Sequence, residues 1–119
     1  MSIIKNVFAA LTEDSVLCSH LCDGVKSIFH QVSPKAARYP IIVYSVISDV
    51  PALFADNREI QSRVTVRIHI ITKDGNYTPI YKALQSVMAN LGYVRLQTTE
   101  LYENDLKIKI VDYKIGVDS

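Results

Sequence analysis

The side chains most able to do chemistry lie close together near the N-terminus: Cys18, His20, Cys22 and Asp23. Residues four apart share one face of a helix, so Cys18 and Cys22 could grip a metal between them. His20 points away from that face, and His30 or His69 would have to complete the set through folding. Two buried or half-buried helical cysteines account for the same spacing without a metal. The pair is also poorly placed in distance and direction for a disulfide, so free thiols in a reducing compartment are expected.

Acid–base chemistry has no better footing. Glu13, Asp14, Glu100, Glu103 and Asp105 fall in turn-like stretches, where solvated charge is ordinary. There is no glycine-rich phosphate loop, no His-Glu-x-x-His and no Gly-x-Ser-x-Gly, and the four glycines are scattered. The reading is a non-enzyme, with no catalytic residue, no cofactor and no metal.

The bulk properties agree. A chain of 119 residues suits one domain, 1–119, with one core. A formal charge of +1 is not that of a strongly basic nucleic-acid binder. The longest apolar run, 41–47, is far below the ~20 residues of a membrane-spanning helix, and no signal peptide is evident. An intracellular setting is expected.

Periodicity then supplies the elements. Ile3, Ile4, Val7, Phe8 and Leu11 make one face of a first helix, with Ser2 as N-cap, and 15–22 offers a short second helix closed by Gly24. Residues 25–32 read as a first strand, 33–39 as a loop and 41–47 as an inner strand covered on both faces. Residues 50–57, containing Pro51, read as an excursion with unusually apolar Leu53 and Phe54. The clearest strand is 58–72. Ile60, Val64, Val66, Ile68 and Ile70 form its apolar side, while Gln61, Arg63, Thr65, Arg67 and His69 form its polar side, to which Arg58 adds charge. Thr78-Pro79 opens a helix running to about Leu91, with Gly92 as terminator. Strands at 93–102 and 106–115 follow, joined by a turn at 103–105. The expected fold is α+β, in the order α(α)βββαββ. An antiparallel or mixed sheet of about five strands carries two main helices on one face.

The lengths do not match. Fifteen extended residues reach about 50 Å, whereas the helix over 79–91 is about 20 Å long. Part of the apolar side, Ile60 included, is left to meet another chain or to project as an arm, unless a bulge shortens the strand. Leu53, Phe54, Arg58, Ile60, Arg63 and Arg67 are therefore the expected interface residues. The arginine face reads as a solvated surface, or as one turned toward acidic protein or passing DNA.

Taken together, the segment "VFAALTED", the strand entry "YPIIVYSVISD", the run "REIQSRVTVRIHIITKDGNYTPIYKALQSVMANLG" and a closing hairpin resemble a known family. It comprises the tail-completion proteins of siphophages and prophages, also called head-to-tail joining or tail-terminator proteins. The resemblance spans nearly the whole chain and rests on element order, not on a catalytic fingerprint. It implies a structural protein that caps the head-proximal end of the tail tube and docks to the head connector. It also implies a ring, usually a hexamer, with tail-tube and head-connector proteins as partners, DNA only as passing cargo and no membrane. Proteins of this kind can remain monomers until they meet the growing tail, and the resemblance implies the same for this chain. Its place would be the virion, and the host cytoplasm during assembly. Two other readings stay open: a binding module or small enzyme using Cys18, His30 or His69, and a nucleic-acid-binding domain using the Arg63/Arg67 face.

Overall fold

The structure, a computed structural model, describes residues 3–31, 38–55 and 58–118, with side chains described outside 50–61 and 117–118. Its order is α1 (Ile3–Glu13), α2 (Ser15–Ser19), a 3-10 turn (Gly24–Ser27), β1 (Ile28–His30), β2 (Ile41–Ala55), β3 (Arg58–Thr72), α3 (Thr78–Asn90), β4 (Val94–Glu103) and β5 (Leu106–Asp118). The five strands form one mixed sheet in the order β1-β2-β3-β5-β4, with only β1 and β2 parallel. This is the α+β arrangement that the periodicity predicts.

One core joins the helices to one sheet face. Val7, Leu11 and Leu17 pack with Ile80, Leu84 and Met88 of α3 against Ile42, Tyr44, Val64, Val66, Ile68, Ile70, Val111 and Tyr113. These strand residues share a face because they are cross-strand partners at even spacing, such as Ile42 with Ile70 and Val66 with Tyr113. A second, smaller cluster of Ile41, Val43, Ile71 and Ile108 occupies one end of the opposite face. The start of β2 is thus buried on both sides, as its unbroken apolar run predicts.

Three expectations need correction. The first strand spans Ile28–His30, not 25–32. Gly24, at φ +59°, begins a 3-10 turn, and the buried Ser27 Oγ accepts from the Asp23 N–H at 2.7 Å. The second helix stops at Ser19, its N-cap Asp14 accepting from the Leu17 N–H at 2.8 Å. Most consequentially, 50–55 continue β2 instead of looping out. Beyond Tyr44 the outer edge of β2 carries no β1 partner, so Pro51 costs no ladder bond to a further strand. Register shifts between Val46 and Ser48 and between Pro51 and Phe54 absorb the irregularity. The N-cap expected at Ser2 lies outside the described residues, as does most of the loop expected at 33–39.

The chain measures 52 × 27 × 23 Å. That long axis is about the length of a fifteen-residue strand.

Candidate assembly surface

The β2–β3 hairpin sets the long axis. On its helix-facing side, burial is complete from Val64 to Ile70, where α1 and α3 lie over it. Past Val64 five more β3 residues pair with β2; Ser62 is still buried and β5 pairs with β3 as far as Gln61, so only Arg58–Ile60, about 10 Å, extend beyond the three-stranded body. In that stretch Pro51 is level with Ser62, Leu53 with Gln61, Phe54 with Glu59 and Ala55 with Arg58. The backbones of Leu53, Phe54, Arg58 and Ile60 are thereby placed together in the outer part of the hairpin. Their side chains lie outside the described residues.

Arg63 and Arg67 lie on the face opposite the helices. Arg63 is exposed there, but Arg67 is not a free cation. Its Nε donates to Asp112 Oδ1 at 2.8 Å and its outer nitrogen to Asp112 Oδ2 at 3.0 Å, while Gln97 Nε2 donates to Oδ2 at 3.1 Å. Three donors on one buried carboxylate explain why Asp112 can be 3% exposed. Arg67 holds its carboxyl below the usual carboxylate range, and Asp112 in return raises the guanidinium's pKa. Beside this clamp, burial and then the Arg67 charge push His69 below the ordinary imidazole range, and its Nδ1 is buried with no hydrogen-bond partner among the described residues. On this face the clamp uses Arg67 structurally, leaving Arg63 and the half-buried Lys114 with no ion pair among the described residues.

The chemical cluster sought near the N-terminus is not assembled. Cys18 Sγ donates toward the Leu11 and Thr12 carbonyls at 3.5 and 3.6 Å, and burial followed by Asp14 pushes the thiol pKa up. Cys22 Sγ instead lies 3.2 Å from Ser27 Oγ. His30 stacks on Tyr44, ring centroids 5.1 Å apart, on the helix side; His69 pairs with Val43 and so faces the other way. Among the described residues no three metal-capable side chains converge.

The periodicity did not reveal how bare β4 would be. It forms one edge of the sheet, and nine of its ten residues are exposed. Val94, Leu96 and Tyr102 are 59%, 49% and 66% exposed. A rim of polar contacts ties this edge back to the body. Lys109 Nζ pairs with Glu100 at 3.2 Å and stands 4.8 Å from the Tyr81 ring centre, while Arg95 donates to the Tyr81 hydroxyl. No helix among the described residues is long and apolar enough to cross a membrane.

No family model and no curated protein matches this chain. Among solved structures, a chain in the virion of a native gene transfer agent particle has the same fold. The TM-score is 0.71 at 14% identity, covering 99% of this chain and 96% of that chain.

Proposed function

We propose that this chain is a non-enzymatic structural subunit of a phage-like particle. In this reading it caps the head-proximal end of the tail tube and joins it to the head connector, as a six-fold ring assembled in the host cytoplasm. The observation that carries the reading is the full-length likeness of fold to a chain of a gene transfer agent virion. The hairpin supports it from physics. A ring needs two different patches on each subunit, and the hairpin end that runs about 10 Å past the last β5-paired residue, Gln61, supplies one away from the helix-covered core. Leu53, Phe54, Arg58 and Ile60 would be the arm's contact residues, with Arg63 at its base. Arg67 serves the clamp.

Imaging the full chain mixed with tail tubes tests this. Caps at one end of each tube, with growth halted there, are expected. Leu53→Asp combined with Phe54→Asp should abolish capping while leaving the melting temperature within a few degrees of wild type. A double variant that still caps would remove the hairpin from the interface; absence of wild-type protein from every tube end would refute the function.

A further inference from the structure

We draw no further inference here: the strongest candidate, the open outer edge of β4 with its exposed Val94, Leu96 and Tyr102, is an unpartnered sheet edge, and nothing in the structure shows what covers it.

Discussion

Asp112 offers the sharpest physical test of the structure. It is 3% exposed and receives the Arg67 and Gln97 donors at 2.8, 3.0 and 3.1 Å. Hydrogen bonds to a charged group contribute about 1.5–3 kcal/mol each, but the Arg67 side chain is 37% exposed and its share must be discounted for solvent screening. For Asp112→Asn, which keeps the shape and removes the charge, a loss of about 2 kcal/mol at neutral pH is expected. With an unfolding entropy of about 0.25 kcal/mol/K for a chain this size, that is a drop of about 8 °C in Tm. The pH dependence follows from the direction of the shift. Arg67 depresses the folded carboxyl pKa, so the stabilisation is fully present above the unfolded value near 4 and fades as pH falls through the folded value. Urea unfolding of wild type and Asp112→Asn at pH 7, 5, 4 and 3 should show a gap that is constant down to about pH 5 and narrows below pH 4. A gap under about 0.5 kcal/mol at pH 7, or one that does not change down to pH 3, would refute the clamp.

Two further expectations follow from burial. Leu84, fully enclosed between α3 and the sheet, should lose about 2–5 kcal/mol on Leu84→Ala, read as a lowered urea midpoint with an unchanged slope. Burial, then the proximity of Tyr81, raises the Tyr113 phenol far above its ordinary value, and burial raises Tyr93 and Tyr44 as well. Because a raised phenol pKa favours the folded state only while the unfolded phenol would be protonated, stability should fall as pH climbs beyond about 10. Absorbance at about 295 nm should show these three tyrosines still protonated there until the chain unfolds.

The sequence by itself determined the element order and the sidedness of the longest strand. Strict alternation from Val64 to Ile70 fixes which side chains can meet helices, and a period of 3.6 fixes the buried stripe of α3. Gly24 and Pro51 misled, because each carries a local preference that its surroundings overruled: a 3-10 turn in one case, an unpartnered strand edge in the other. Tertiary structure alone decided which edge stays open and which charges are spent internally. Arg67 and Asp112 are 45 residues apart in the chain, yet antiparallel register sets them directly opposite. Whether a strand is central or terminal depends on the order of pairing across the whole sheet. Local side-chain pattern records burial on two faces and carries no mark of which backbone groups found a neighbour.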